Sequence, residues 1–154
     1  MDPNTALCRS FVRQAKEALS AYPHLTHEWS IDDDQDHCIL DIPEECEDGF
    51  PITTEVHPKE ITVIAGPAHM HFDLEGDVDE LAAQVLGLVR DLLSPAMRIH
   101  EFLAGGKAYK WTVEADQNGK WIAEQSLGLI IFRWFGYRTE RICQNRILPA
   151  RQRV

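Results

Sequence analysis

The sequence predicts an α+β protein, with a mainly antiparallel sheet of up to about ten strands and two helices in the order helix, five strands, helix, five strands. Two segments repeat apolar residues every three or four positions, as amphipathic helices do. About ten short segments alternate apolar and polar residues, and turn signals rich in glycine, proline or asparagine separate them. No break in composition divides the chain, so we expect residues 1–154 to form a single domain.

The first helix is predicted within residues 5–22, ahead of Pro23, which ends it. Its apolar stripe consists of Leu7, Phe11, Ala15, Ala18, Leu19 and Tyr22. Short alternating segments then predict five strands, at residues 27–31, 37–42, 50–56, 60–65 and 69–74.

The second helix is predicted over residues 77–93, where Asp77 and Glu80 form a D-x-x-E capping pattern. Beyond it, Gly105-Gly106 and Asn118-Gly119 mark two hairpin turns. The later strands are predicted at residues 97–103, 107–114, 121–124, 127–132 and 138–145. A basic tail begins at about residue 146, and we expect it to fray.

Charge is distributed unevenly along the chain, whose net charge is −10. Residues 1–95 hold 20 acidic and 5 basic side chains, whereas residues 96–154 hold 5 acidic and 10 basic ones. Two acidic clusters lie in turn-like segments, and they comprise Asp32, Asp33, Asp34 and Asp36, and Glu44, Glu45, Glu47 and Asp48. Such a surface favours a basic protein partner and repels nucleic acid phosphates, although acidic loops also serve simply to keep a protein soluble.

The segment G66-P-A-H-M-H-F-D73 is a candidate metal site. In a strand, His69, His71 and Asp73 point to one face, and Met70 and Phe72 point to the other. Two imidazoles on one face can bind zinc or another divalent metal, with His57 on a neighbouring strand as a further ligand. A strand with one solvated face gives the same pattern without any metal.

Other features narrow the class of protein. The sequence lacks the nucleophile-elbow, zinc-protease, P-loop and dinucleotide-binding motifs, which favours a protein that is not an enzyme. The four cysteines have no metal-ligand spacing, and we expect reduced thiols. With no long apolar run and no recognisable secretory signal, we expect a cytoplasmic protein without membrane contact. The aromatic and arginine cluster at residues 132–141 could stack nucleic acid bases, but the net charge opposes that function.

Three segments carry a resemblance to a known family: G66-P-A-H-M-H-F-D73, L92-L-S-P-A-M-R-I99 with G105-G-K-A-Y-K-W-T-V-E114, and F132-R-W-F-G-Y-R-T-E-R-I-C-Q-N-R-I-L-P149. They resemble a family of small bacterial cytoplasmic proteins of uncharacterised function. The resemblance covers about residues 49–150, and its most particular part is the ending Q144-N-R-I-L-P149. It implies no catalytic residue. In size, acidity and class, the chain is also similar to the immunity proteins of bacterial toxin systems, which cover and neutralise a toxin.

These observations favour a protein-binding module, of immunity type, that recognises a basic toxin or another basic protein through the two acidic clusters and needs no cofactor. The alternative is a metal-dependent enzyme or metal-binding protein that uses His69, His71, His57 and Asp73 with zinc or another divalent metal.

Overall fold

The computed structural model describes residues 2–128 and 136–151, without the side chains of residues 127 and 128. After a short 3-10 turn at Pro3–Thr5, the helices are α1 (Ala6–Ser20) and α2 (Val78–Leu92). The strands are β1 (Glu28–Ile31), β2 (Cys38–Ile42), β3 (Ile52–His57), β4 (Glu60–Ala65), β5 (Ala68–Asp73), β6 (Met97–Ala104), β7 (Lys107–Gln117), β8 (Lys120–Gly128) and β9 (Arg138–Cys143). The predicted α+β class and the predicted antiparallel pairing are confirmed.

Two details of the predicted sheet were wrong. The strands form two sheets, in the orders β1-β2-β3-β4-β5 and β8-β7-β6-β9, because β5 and β6 do not pair across the intervening helix. The described residues contain nine strands, since β8 continues along β7 through the position where we expected a break after residue 124. The rest of the strand predicted at 127–132 lies outside the described residues.

The chain groups into two compact units, Met1–Glu44 with Pro51–Arg90 and Glu45–Phe50 with Asp91–Val154. The single domain over residues 1–154 stays a prediction. No helix in the described part of the chain combines the length and the apolarity needed to cross a bilayer.

The first unit packs helix α1 against one face of the five-stranded sheet, which we call the inner face. Residues at Cα-paired positions share a face, so the strand registers define the inner face by residues such as Leu40, Val56 and Val63, all at most 1% exposed. Phe11 of α1 is fully buried and meets the ring of Trp29 edge-on, with centroids 6.2 Å apart. Burying these side chains is the main source of stability for the unit.

Helix α2 begins at the capping residue that its sequence predicts. One carboxylate oxygen of Asp77 accepts hydrogen bonds from the backbone N–H groups of Asp79 (2.8 Å) and Glu80 (3.0 Å). Asp79 in turn accepts hydrogen bonds from Ser10 and Arg13 of α1, and Arg90 near the other end of α2 donates to Tyr22. These contacts join the start of α2 to α1 and Arg90 near the end of α2 to Tyr22, which follows α1.

The second unit is built on two tight hairpins, and both follow the predicted turns. Gly105 and Gly106 have φ values of 57° and 79° between β6 and β7, and Asn118 and Gly119 have 56° and 84° between β7 and β8. Positive φ at both central positions defines the type I′ turn, whose twist matches that of paired strands. The last strand, β9, returns to pair with β6.

Candidate functional site

The five-stranded sheet turns its polar side chains away from α1, onto what we call the outer face. On β5, His69, His71 and Asp73 are exposed, whereas Met70 is buried and Phe72 is half-buried, as the alternation predicted. Strand registers add His57, Glu55 and Glu60 to the same face. The outer face therefore carries all four residues of the predicted metal site.

The structure does not bring those four residues together as a set of ligands. His57 lies on β3, and β4 separates that strand from β5, so the two backbones are about 9.5 Å apart. The Nδ1 of His71 lies 3.0 Å from the hydroxyl of Thr62, which fixes the ring by a hydrogen bond to protein. Within residues 2–128 and 136–151, no group of three or more His, Cys, Asp or Glu side chains is arranged to hold a metal ion.

The first acidic cluster occupies the turn between β1 and β2, and this turn has a defined backbone. The N–H of Asp32 bonds to the carbonyl of His37 at 3.1 Å, and the N–H of Gln35 bonds to the carbonyl of Asp32 at 2.9 Å. Asp32, Asp33 and Asp34 are exposed, and Asp36 is half-buried. The carboxylates are therefore presented to solvent from a fixed turn.

A chain of polar contacts joins this turn to the outer face. A carboxylate oxygen of Asp32 lies 3.4 Å from the Nδ1 of His37, and the rings of His37 and His57 stack with centroids 4.5 Å apart. Beyond them, the Nε2 of His57 lies 3.9 Å from a carboxylate oxygen of Glu55. Asp32, a predicted partner-binding residue, and His57, a predicted metal ligand, thus belong to a single polar surface, although they are far apart in the sequence.

The second acidic cluster lies in the connection from β2 to β3. Glu44, Glu45, Glu47 and Asp48 are all exposed. The division into compact units assigns Glu44 to the first unit and the other three to the second. Among the described residues, no lysine or arginine pairs with any carboxylate of either acidic cluster.

The net negative charge of the protein comes from the first unit. That unit holds 16 acidic and 5 basic residues, a balance of −11, whereas the second holds 9 acidic and 10 basic residues, a balance of +1. The net charge that would attract a basic partner therefore comes from the first unit, although Glu45, Glu47 and Asp48 of the second acidic cluster belong to the second unit.

A pocket of about 390 Å³ lies where β5 ends and α2 begins. The ionisable side chains of its lining are four carboxylates and one imidazole, from Asp73, Glu75, Asp77, Glu80 and His71. Lysine and arginine are absent from its lining among the described residues. The pocket is thus electronegative, and it adjoins the outer face through His71 and Asp73.

The second unit contains a polar cluster that sequence reasoning missed. Glu114 accepts a hydrogen bond from the Nε of Arg98 at 2.7 Å, and its other oxygen lies 3.3 Å from the Nδ1 of His100. The Nε2 of His100 lies 3.2 Å from a carboxylate oxygen of Glu140 without the alignment of a hydrogen bond. Alternation along β6 and β7 was the available signal, because Arg98 and Glu114 are cross-strand neighbours.

The groups of this cluster hold the carboxyl of Glu114 in its charged form. Burial by itself raises the pKa of Glu114, but hydrogen bonds and charge from Arg98 and His100 outweigh it and hold the pKa below its ordinary value. The guanidinium of Arg98 also lies over the ring of Trp121, 4.0 Å from the centroid. Arg98, His100 and Glu114 contact one another across β6 and β7, so the arrangement supports the sheet.

The ending Q144-N-R-I-L-P149 has a structural role. Asn145 is fully buried, its amide donates to the carbonyls of Phe50 (3.0 Å) and Leu92 (3.2 Å), and its oxygen accepts from the N–H of Phe50 (3.1 Å). The backbone N–H groups of Ile147 and Leu148 both donate to the carbonyl of Leu93 at 3.0 Å. We call this set of contacts the Asn145 clasp.

The clasp corrects the expectation of a frayed tail from residue 146. Leu148 is 7% exposed, and Arg151 forms an ion pair with Asp91, with a nitrogen and an oxygen 2.7 Å apart. The backbone is held because two of its N–H groups have a buried carbonyl partner. Residues 152–154 lie outside the described residues.

The aromatic and arginine cluster at 132–141 can be described only in part, since residues 132–135 lie outside the described residues. Arg138 lies over the ring of Tyr109, 4.8 Å from its centroid, and Tyr137 is 91% exposed. Arg138 is thus engaged with a ring of its own sheet.

Comparison with protein-family models, with curated proteins and with solved structures finds no match for this chain.

Proposed function

We propose that this chain is a protein-binding module whose partner is a basic protein. One observation carries the proposal: the eight carboxylates of the two acidic clusters lie at the surface without a lysine or arginine partner among the described residues. Carboxylates that have no lysine or arginine partner in the free protein are available to a basic partner, and they speed its encounter and disfavour anionic competitors.

The geometry of the first cluster supports the same proposal. The turn that holds Asp32 to Asp36 is fixed by two backbone hydrogen bonds, so little conformational entropy is lost when a partner binds there. Small size, strong acidity and the α+β class also support an immunity-type role, in which the partner is a basic toxin.

A pull-down from the native host tests the proposal. Tagged wild-type protein is compared with a variant in which Asp32, Asp33, Asp34 and Asp36 become Asn, and the captured proteins are identified by mass spectrometry. We expect a specific basic partner whose recovery falls in the variant and in high salt, because exposed ion pairs are screened. A control variant, Glu17→Gln with Glu124→Gln, removes exposed carboxylates outside the clusters and should not alter recovery.

Capture that ignores the four Asp changes would remove the first cluster from the proposal. If every specifically captured protein proves acidic, the proposal of a basic partner fails.

The metal-binding alternative stays a prediction, and no geometry in the described residues favours it. Metal analysis of protein purified without an affinity tag, with His71→Ala as the control, tests it directly.

A further inference from the structure

The five strands of the first sheet have an unusual composition. They contain five carboxylates and three histidines but no lysine and no arginine. Strand registers place all eight of these side chains on the outer face. They are Glu28, Asp41, Glu55, Glu60, Asp73, His57, His69 and His71.

Like charges also stand directly opposite one another on this face. Glu28 pairs with Asp41 across β1 and β2, and Glu60 pairs with Asp73 across β4 and β5. Like charges in directly opposed positions of an antiparallel sheet are destabilising, whereas opposite charges stabilise it. The arrangement therefore costs stability in the free chain, and it is complementary to positive charge supplied from outside.

The outer face continues into two further electronegative features. At one end, His37 links it to the acidic turn through Asp32. Beside β5 lies the pocket of about 390 Å³, which shares His71 and Asp73 with the face and adds Glu75 and Glu80. A long cationic side chain suits such a pocket, and anchor residues of this kind supply much of the affinity at protein interfaces.

We propose that the outer face of the five-stranded sheet is the docking surface for a lysine- and arginine-rich segment of a protein partner, with one cationic side chain anchored in the adjoining pocket. This inference rests on the proposed function and moves the centre of recognition from the acidic loops to the sheet. Charge complementarity selects the occupant, because the face offers carboxylate acceptors and the strands contain no competing lysine or arginine.

A defined probe tests the docking surface. The probe is a fluorescein-labelled peptide of alternating lysine and serine, about twelve residues long, and its counterpart of alternating glutamate and serine is the negative control. Affinity is measured by fluorescence anisotropy at low and high salt, and binding is mapped by amide shifts of isotope-labelled protein.

Two variants carry the same loss of four negative charges. The face variant combines Glu28→Gln, Asp41→Asn, Glu60→Gln and Asp73→Asn, and the loop variant combines Asp32→Asn, Asp33→Asn, Asp34→Asn and Asp36→Asn. Because their net charges are equal, the comparison separates local contacts from the field of the whole protein. Circular dichroism spectra that match the wild type establish that both variants fold.

We expect the face variant to weaken lysine peptide binding by about tenfold or more, because four exposed charge pairs with the peptide are lost together. The loop variant should weaken it no more than about threefold, and the amide shifts should fall on β1 to β5.

If the loop variant loses lysine peptide binding and the face variant retains it, the proposed docking surface is overturned and the proposed function still stands. Equal losses in both variants would also overturn it, because net charge alone would then explain the binding. If the wild type binds no lysine peptide even at low salt, the docking surface and the proposed basic partner both fail.

Discussion

Replacing Asn145 should destabilise the second unit more than any other single polar substitution that we consider. The side chain makes three hydrogen bonds and is fully buried, so Asn145→Ala leaves the N–H and the carbonyl of Phe50 and the carbonyl of Leu92 without this partner. Each lost bond costs about 1 kcal/mol, and each buried group left unsatisfied costs about 1–3 kcal/mol. We therefore expect Asn145→Ala to lower the free energy of unfolding by about 3–6 kcal/mol.

That loss is a large fraction of the free energy of unfolding of an ordinary domain, which is about 5–15 kcal/mol. It corresponds to a fall in Tm of roughly 10–20 °C for a chain of this size. Urea unfolding followed by tryptophan fluorescence measures it, because Trp111 and Trp121 belong to the same unit. Asn4→Ala, at an exposed position, is the matched control and should change stability by less than about 0.5 kcal/mol.

A second variant tests the same clasp from the other side. A Cβ atom at Gly49 would lie 2.8 Å from the Oδ1 of Asn145, so Gly49→Ala requires a shift at this contact and should weaken the clasp. If the free energy of unfolding of Asn145→Ala lies within about 1 kcal/mol of the wild-type value, the clasp is not a stabilising element and the reasoning is refuted.

The other predictions concern charge and thiols. Glu60→Gln should raise the free energy of unfolding by about 0.2–1 kcal/mol at low salt, because it removes one of two opposed carboxylates, and an unchanged or lower value would contradict the like-charge interpretation. Glu114→Gln should cost about 1–3 kcal/mol at neutral pH. Because the folded-state pKa of Glu114 is depressed, this cost is fully present above the ordinary value of 4.5 and shrinks as pH falls through the folded value. In urea unfolding, the free energies of unfolding of the wild type and of Glu114→Gln should therefore differ less at pH 3 than at pH 7. A thiol reagent at pH 8 should label exposed Cys46 quickly and the three buried cysteines only after unfolding, because burial raises the pKa of their thiols.

Local chemistry made part of the fold predictable from sequence. Asparagine and glycine tolerate positive φ values, and Asn118-Gly119 and Gly105-Gly106 adopt them. The positions of both hairpin turns could therefore be predicted from the sequence. The capping side chain of Asp77 likewise marked the start of α2. These signals depend only on neighbours along the chain.

Long-range contacts explain what could not be predicted. Pairing of β9 with β6 is set by contacts between distant segments, and this pairing helps to divide the strands into two sheets. Asn145 lies in a polar stretch typical of a surface, yet its partner Phe50 is 95 residues away. The contacts that connect Asp32 to His57 through His37 are likewise long-range, so the sequence alone does not indicate that the acidic cluster adjoins the histidines.

Two sets of polar side chains in this chain have opposite effects on stability. Arg98, Glu114 and Asn145 in the second unit have partners within the fold, and their bonds stabilise it. Glu60 and Asp73 in the first unit face each other without cation partners among the described residues, which destabilises it. A ligand that binds only the folded state raises the free energy of unfolding by RT ln(1 + [L]/Kd), which offsets this cost. The lysine peptide should therefore raise the Tm of the wild type and leave that of the face variant nearly unchanged, although the unliganded face variant is the more stable of the two.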